Sequence, residues 1–292
     1  MTRHCALILA HRNPLIFKEL TGCLINAGMD VFAHIDAKTP VSAFEHTSQP
    51  VQFLQDRYPI TWGSFAIIKA TLALVKHAVE KGPYQSYSLL SGDSFPVRAP
   101  STLLSLLNDH ADFIDYTVIP ADTPTYARIQ HTYLPDTRLG QLTLGVPFQE
   151  RYLDDALMES MRPALQSHEN RVAFLHDYIY AKGSQWWTLS QYSLGRILEL
   201  IERDDRLMEA FRFSAIPDEA FFQTALLHVC PRAANIRAGL IYTKWDVAPA
   251  PYTFKRLSDI EYFKTMDRPL ARKFSDESMP LIEMVKKELW TA

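Results

Sequence analysis

Residues 5–10 of the chain read Cys-Ala-Leu-Ile-Leu-Ala, and residues 29–36 read Met-Asp-Val-Phe-Ala-His-Ile-Asp. Both are apolar runs of strand length; the first stops before His11 and the second ends in Asp36. Between them, apolar residues recur with helical spacing over positions 15–25. This order predicts a βαβ unit that begins a doubly wound α/β sheet, in which ligands bind at the carboxyl ends of the strands.

The composition is that of a globular protein with a large core, either one domain or two joined halves. The chain has 292 residues, of which 47% are hydrophobic and 22% charged, and a net charge of -3, so nothing in its charge favours nucleic acid or an anionic membrane surface as a partner. Its three cysteines form no CxxC pair, which argues against a disulfide framework or a structural zinc site. The first apolar run is too short for a membrane span or a signal peptide. We therefore expect a soluble, cytoplasmic protein.

The middle of the chain interrupts the alternation of strands and helices. Residues 117–182 are rich in proline, aromatic and basic residues, which predicts an irregular insertion that works as a lid. Short strands are predicted at residues 51–54 and 58–62 before it, and an amphipathic helix from about residue 278 near the end. Neither a GxGxxG fingerprint nor a P-loop is present.

Pro217-Asp218-Glu219 precedes an otherwise apolar helix predicted over residues 220–228. Proline suits a first helical turn, and the helix dipole favours carboxylates there. Acidic first turns are common, so these residues alone fit a simple helix start as well as a functional site.

Seven segments, taken in order, carry a family resemblance. They are Ala-His-Arg at 10–12, His-Ile-Asp-Ala-Lys at 34–38, Trp-Gly-Ser at 62–64, Leu-Ser-Gly-Asp-Ser-Phe-Pro-Val-Arg at 90–98, Lys-Gly-Ser-Gln-Trp-Trp at 182–187, Pro-Asp-Glu at 217–219 and Leu-Ala-Arg-Lys-Phe at 270–274. Together they resemble the core-2/I-branching enzymes and peptide O-xylosyltransferases of glycosyltransferase family 14, which are inverting glycosyltransferases that use UDP-sugars.

The resemblance implies an α/β GT-A glycosyltransferase fold, a Rossmann-like mixed sheet flanked by helices, as a single domain over residues 1–292. Its expected parts are a nucleotide-sugar half (1–116), an acceptor-side insertion (117–182), a catalytic half (183–253) and a C-terminal diphosphate-binding segment (254–292). Catalysis without a divalent metal is also implied. The sequence agrees, because no Asp-x-Asp follows a strand, and Asp154-Asp155 and Asp204-Asp205 are expected to be solvated.

An inverting sugar transfer needs a base on the acceptor hydroxyl, and Glu219 matches the catalytic base of the family. A positioned base contributes roughly 10²–10⁴ in rate. Asp218 is expected either to bind the acceptor or to cap the helix, and the cap is favoured.

The leaving diphosphate needs positive charge. Lys273 is the first candidate and Arg272 the second, because both match basic positions of the family. Lys255 and Arg256 match a further basic position equally well, and the sequence does not separate them.

The nucleoside is expected at the ends of the first two strands, near His11 and Asp36. A carboxylate at that place can accept hydrogen bonds from ribose hydroxyls or the uracil imide. Arg57 and Trp62 are candidate walls of the same pocket, although Trp62 fits the core equally well.

Sugar recognition is expected from Asp93, whose turn has Gly92 for a close backbone approach. Arg98 matches a basic position that faces the acceptor in the family. Trp245 is the tryptophan expected to stack on a sugar, because it follows Lys244 in a polar loop.

The predicted function is a metal-independent inverting transferase that moves GlcNAc or xylose from a UDP-sugar to a glycan or glycolipid acceptor, with no cofactor. Family members of the Golgi carry a membrane anchor, a stem and disulfides, and this chain shows none of these. We therefore expect a bacterial-type enzyme of surface polysaccharide biosynthesis, compatible with peripheral association with a membrane-linked acceptor. The alternatives are a non-catalytic nucleotide-sugar or glycan-binding module on the same fold and, last, a glycoside hydrolase that uses Asp93 and Glu219.

Overall fold

The computed structural model describes residues 3–45, 50–133, 177–230, 235–246 and 250–290, and all structural statements concern these residues. Its strands are β1 (His4–Ala10), β2 (Asp30–Ile35), β3 (Val51–Phe53), β4 (Ser86–Ser91), β5 (Ser94–Pro96), β6 (Asp112–Phe113), β7 (Thr117–Val118), β8 (Ala181–Lys182), β9 (Thr188–Ser190), β10 (Ile236–Arg237), β11 (Ile241–Thr243) and β12 (Leu270–Arg272). Its α-helices are α1 (Pro14–Asn26), α2 (Ala66–Lys81), α3 (Pro100–Leu107), α4 (Ala127–Gln130), α5 (Gln191–Arg203), α6 (Arg206–Arg212), α7 (Phe221–Val229), α8 (Ile260–Thr265) and α9 (Met279–Leu289).

A seven-stranded mixed sheet in the order β10-β6-β9-β4-β1-β2-β3 organises the fold. Strand β1 lies parallel to β2 on one side and to β4 on the other, and β9 runs antiparallel to β4 and β6. All seven residues of β1 are buried, which explains its unbroken apolar sequence. The predicted βαβ beginning is confirmed.

A second, three-stranded sheet in the order β11-β12-β5 ties the C-terminal part of the chain to its N-terminal part. Strand β12 pairs in parallel with β11 and antiparallel with β5, so that Arg272 lies opposite Ser94. Beneath this sheet is a separate apolar cluster built mainly of aromatic and aliphatic residues from both ends of the chain: Ile16, Phe95, Val97, Phe254, Ile260, Phe263, Ala271, Phe274, Leu281, Ile282 and Val285. The second sheet therefore holds β12 beside the carboxyl end of β4.

The two ends of the predicted insertion meet in a third, two-stranded sheet. Strands β7 and β8 pair antiparallel, with Thr117 opposite Lys182 and Val118 opposite Ala181. The sequence boundaries at 117 and 182 thus coincide with a hydrogen-bonded pair, although much of the insertion, including Asp154-Asp155, lies outside the described residues.

Several predicted elements differ from the structure in type or length. Residues 51–53 form the predicted short strand, but the strand predicted at 58–62 is wrong: Tyr58 instead donates its N–H to the His34 ring, 2.8 Å away, and Trp62 lies in a turn. The C-terminal amphipathic helix is confirmed as α9. All three cysteines are free thiols, as expected.

Candidate active site

The Pro-Asp-Glu turn lies at the start of α7 and is fixed by the loop before α2. Residues Pro217–Glu219 form a single 3-10 turn, and Ile216 before it has a φ of 52°. A left-handed conformation is costly for a β-branched residue. It is supported here by a hydrogen bond of 3.1 Å from the Ile216 N–H to the carbonyl of Gly63. The Trp-Gly-Ser loop therefore sets the direction of the turn.

Two cations hold one oxygen of the Glu219 carboxylate. Arg128 Nη1 lies 2.8 Å and Lys182 Nζ 3.0 Å from Glu219 Oε2, and all three side chains are about 30% exposed. Among the described residues, none makes a hydrogen bond to the other oxygen, Oε1. The described contacts thus orient the carboxylate through one oxygen and leave the other without a partner among the described residues.

The backbone of Glu219 is held as closely as its side chain. The Gly183 N–H donates to the Glu219 carbonyl at 2.7 Å. Gly183 is also pressed against the backbone of Asp115, since a Cβ at position 183 would lie 1.7 Å from the Asp115 carbonyl oxygen. Asp115 in turn forms two hydrogen bonds with Arg268, of 2.7 and 2.9 Å. Only glycine fits between Asp115 and Glu219, which explains the glycine after Lys182.

The prediction that Asp218 caps the helix is wrong. Helix α7 begins at Phe221 without a side-chain cap, and Asp218 Oδ1 is buried with no hydrogen-bond partner in the described part of the chain. Burial, and then the charge of Glu219, raises the pKa of Asp218 to about 7, which the charges of Arg128 and Arg272 only partly counteract. The reason is that the 3-10 turn directs this side chain into the protein rather than towards the amides of the first helical turn.

A second charged group, formed by Asp93, Arg12, Arg272 and Lys273, lies where β4, β12 and the end of β1 meet. The buried Asp93 carboxylate accepts hydrogen bonds from Arg12 Nη2 at 3.3 Å, Arg272 Nη2 at 3.4 Å and the hydroxyl of Ser91. Burial alone would raise the pKa of Asp93, but Arg272, Ser91, Lys273 and Arg12 together hold it below its ordinary value. Three cations surround one carboxylate, so the cluster carries a net positive charge.

Arg272 and Lys273 keep donor capacity beyond this pairing. The Arg272 guanidinium lies over the Trp186 ring, 4.9 Å from its centroid, and its buried Nε has no hydrogen-bond partner. Burial lowers the pKa of Arg272 and of the half-buried Lys273, and each of the two is also among the positive charges near Asp93. No described residue forms an ion pair with Lys273 Nζ. These two predicted diphosphate residues therefore lie together, and beside the predicted sugar residue Asp93.

Lys255 and Arg256, the two alternatives for the upstream cation, are both exposed. Lys255 Nζ forms an ion pair of 2.8 Å with Glu277, whereas the Arg256 N–H donates to Asp259 within the turn that begins α8. The structure does not bring either side chain into contact with Asp93 or Arg272, and their role in binding a diphosphate stays a prediction.

His11 and Asp36 follow neighbouring strands at the same edge of the main sheet, as predicted. Partial desolvation by neighbouring atoms, and then the charge of Arg12, lower the pKa of His11. The negative charges of Asp93 and Asp36 oppose this shift. The buried Asp36 carboxylate accepts hydrogen bonds from the backbone N–H groups of Lys38, at 2.8 Å, and Ile60, at 3.2 Å. Asp36 therefore holds two loops of this edge, and its carboxylate also forms an ion pair of 3.5 Å with Lys38 Nζ.

The predicted pocket walls differ in their exposure. Arg57 donates to the carbonyl of Thr39 at 2.9 Å and thus braces the loop that follows Asp36. Trp62 is 65% exposed, so the alternative that placed it in the core is wrong. A large, exposed indole beside the loop that fixes Ile216 lies at the rim of the site.

Trp245 and Arg98 lie further out. Trp245 is 60% exposed and follows Lys244, whose ammonium group contacts Asp246, Tyr252 and Tyr262. The Arg98 side chain donates to the carbonyls of Val97 and Met266, at the end of the second sheet opposite to Arg272. Its role in acceptor binding stays a prediction, and its observed contacts hold the segment before β12.

Asp218 links the two charged groups electrostatically: it is next to Glu219 on the same turn, and the charges of Arg128 and Arg272 both lower its pKa. The Glu219 carboxylate and the cluster around Asp93 therefore form one site. It was predicted without three of its residues, Arg128, Lys182 and Arg12, although Lys182 and Arg12 lie within the quoted motifs at 182–187 and 10–12. Arg128 had no such signal, since it lies in the irregular insertion.

The model of the family described as Core-2/I-Branching enzyme matches residues 7–267 of the chain. The chain belongs to the core-2/I-branching enzyme family. The match includes Arg12, Asp93, Arg128, Lys182 and Glu219, and stops before Arg272 and Lys273. No curated protein matches the chain.

Membership of the core-2/I-branching enzymes identifies the protein as a glycosyltransferase, with a nucleotide-sugar donor and a glycan acceptor. The mixed sheet flanked by helices is the GT-A-like fold of such an enzyme, as predicted. None of the helices within the described ranges is both long and apolar enough to cross a bilayer.

Proposed function

We propose that this core-2/I-branching enzyme is a metal-independent, inverting glycosyltransferase with Glu219 as its general base. It transfers GlcNAc or xylose from a UDP-sugar to a hydroxyl of a glycan or glycolipid in the synthesis of a surface polysaccharide, on the cytoplasmic side of the membrane. The observation that carries this proposal is the position of the Glu219 carboxylate. Arg128 and Lys182 both bind its Oε2, and it lies in the same site as a cluster of three cations.

In the proposed reaction, Glu219 Oε1 accepts the proton of the acceptor hydroxyl. The acceptor oxygen then forms a bond to the anomeric carbon of the donor, while the bond from that carbon to the diphosphate oxygen breaks and UDP leaves with the electron pair. Attack on the face opposite to UDP inverts the configuration of the sugar. Orienting the base in advance lowers the barrier, because its ordering is already achieved in the folded protein.

The cluster of Arg12, Arg272 and Lys273 supports the proposed independence from metal. A leaving diphosphate needs fixed positive charge, which in other enzymes a divalent cation supplies. Here three cations share one carboxylate, and both Lys273 Nζ and Arg272 Nε have donor capacity left. Partly desolvated cations in such a position stabilise developing negative charge more strongly than they would in water.

Asp93 does not suit the glycoside hydrolase alternative. A hydrolase of that kind needs a carboxylic acid with a raised pKa to protonate the leaving group. The cations around Asp93 keep its pKa below the ordinary value, and its carboxylate is buried. The structure therefore favours a transferase over a hydrolase that uses Asp93 and Glu219.

The test is the release of UDP from UDP-N-acetylglucosamine and UDP-xylose, with and without glycan acceptors. We expect Glu219→Gln to lower the rate at least about 10²-fold while UDP binding, measured by calorimetry, stays within a factor of two or three. EDTA should leave the wild-type rate intact. A Glu219→Gln variant with normal turnover would refute the assignment of the base, and UDP binding without any turnover would favour a non-catalytic binding module.

A further inference from the structure

The side chain of Asp218 has an unusual position next to the base. Its Oδ1 is buried and has no hydrogen-bond partner among the described residues, whereas the neighbouring Glu219 is bound to two cations. The turn that holds both is fixed at its start by the hydrogen bond between Ile216 and Gly63 and at its end by one of 3.0 Å from the Ala220 N–H to the Pro217 carbonyl. Asp218 as a whole is partly exposed, but the fixed turn keeps its Oδ1 buried, and this atom cannot turn to solvent unless the turn that carries Glu219 also moves.

The charges that face Asp218 are already engaged with other groups. They are Glu219 on the same turn, Arg128 from the insertion and Arg272 from β12. Arg128 is bound to Glu219 at 2.8 Å, and Arg272 to Asp93 at 3.4 Å. An ionised Asp218 would thus be a second negative charge beside Glu219, with one oxygen buried and no cation of its own, which is an expensive arrangement.

We propose that Asp218 acts as a positioning residue in its protonated form, so that the turn carries one negative charge rather than two, and that loss of this proton ends activity at alkaline pH. This inference rests on the proposed role of Glu219 as the base. The pKa of about 7, raised first by burial and then by Glu219, fits a proton that is present near neutrality.

Deprotonation would act on the reaction through Glu219. A second negative charge on the turn attracts Arg128, which orients Glu219 in the structure. The same charge repels the leaving diphosphate at Arg272. Both effects lower turnover without removing any group that contacts the substrate. The protonated carboxyl group is therefore the competent form, and an amide of the same shape should replace it.

The first test compares the pH dependence of turnover of a UDP-sugar in the wild type and Asp218→Asn between pH 5.5 and 9. Above about pH 7 the wild-type rate should fall about tenfold per pH unit, as expected for one titrating group, and the Asn variant should lose this alkaline limb. The shape of the profile is the readout, not its height. The exposed Asp205 provides the matched control, because Asp205→Asn also removes one carboxylate and should keep the wild-type profile.

The second test needs no substrate and no active variant. Infrared difference spectra of the wild type between pH 6 and 8 should show the loss of one carboxylic-acid C=O band, and Asp218→Asn should lack that band. An alkaline limb that persists in Asp218→Asn, or a wild-type spectrum without a protonated carboxyl group at pH 6, would overturn the proposal. Since the spectra require no catalysis, this failure is distinguishable from a failure of the transferase assignment.

Discussion

Gly183→Ala tests whether the close backbone packing behind the base is required. In the structure, a Cβ at this position would lie 1.7 Å from the Asp115 carbonyl oxygen and 2.5 Å from its carbon. To restore an ordinary contact, one backbone must move by about 1.5 Å. The hydrogen bond of 2.7 Å between the Gly183 N–H and the Glu219 carbonyl cannot survive such a shift, and Lys182 moves with it.

The expected decrease in the free energy of unfolding has two parts, the overpacking against Asp115 and the lost hydrogen bond to Glu219. Overpacking against backbone costs about 1–3 kcal/mol and a lost hydrogen bond about 1 kcal/mol, so we expect a total near 3 kcal/mol. For a chain of this size that corresponds to a decrease in Tm of about 5–10 °C. Misplacement of a base by about 1 Å can cost about 10²-fold in rate, so kcat should fall further than stability alone explains.

The assay is thermal unfolding together with kcat for UDP release. Gly195→Ala is the matched control, because Gly195 lies inside α5 and a Cβ there would meet nothing within 4 Å. The control should gain up to about 1 kcal/mol from helix propensity and keep its rate. If Gly183→Ala melted like the wild type and kept its kcat, the contact between Asp115, Gly183 and Glu219 would not position the base.

Three other perturbations have expected outcomes. Lys273→Met should weaken UDP binding about 10–100-fold by calorimetry, the loss of one charge-assisted contact, whereas Lys264→Met should have little effect because Lys264 lies in α8 and is bound to Glu261; equal effects would contradict the assignment. Asp218 should make the free energy of unfolding fall from about pH 4 to pH 7, because the folded state holds a proton that the unfolded chain has released. A pKa difference of about three pH units corresponds to at most about 4 kcal/mol. Chemical denaturation of Asp218→Asn should show no such dependence on pH. Trp62→Ala should raise the KM for the UDP-sugar with little change in Tm, because its indole is a predicted wall of the nucleoside pocket and is exposed; a large drop in Tm would show that it packs instead.

The fold and the main members of the site could be predicted because they lie in local patterns. The buried runs that became β1 and β2 determine the start of the sheet. Glu219 and Arg272 were found in short motifs whose order along the chain carried the resemblance. The topology then brings those motifs together, because parallel strands end at one edge of the sheet.

The remaining features depend on contacts between distant residues. Arg128 meets Glu219 across 91 positions from an irregular segment that has no periodicity to interpret. Asp218 looked like a helix cap because its sequence context is that of a first turn, and only the conformation of Ile216 turns its side chain inwards. Likewise, no local pattern could show that Trp62 is exposed. Burial and left-handed backbone conformations are properties of the assembled chain.

The cation cluster has a consequence for how the protein is made. Arg12 follows β1, whereas Arg272 ends β12 and Lys273 follows it, and the second sheet and its own apolar cluster hold β12 in place. During synthesis, the ribosome therefore releases Arg12 and Glu219 long before their partners for the diphosphate exist. A nascent or truncated chain that lacks β12 has a base but no complete donor site, so it cannot consume nucleotide sugar before folding is finished.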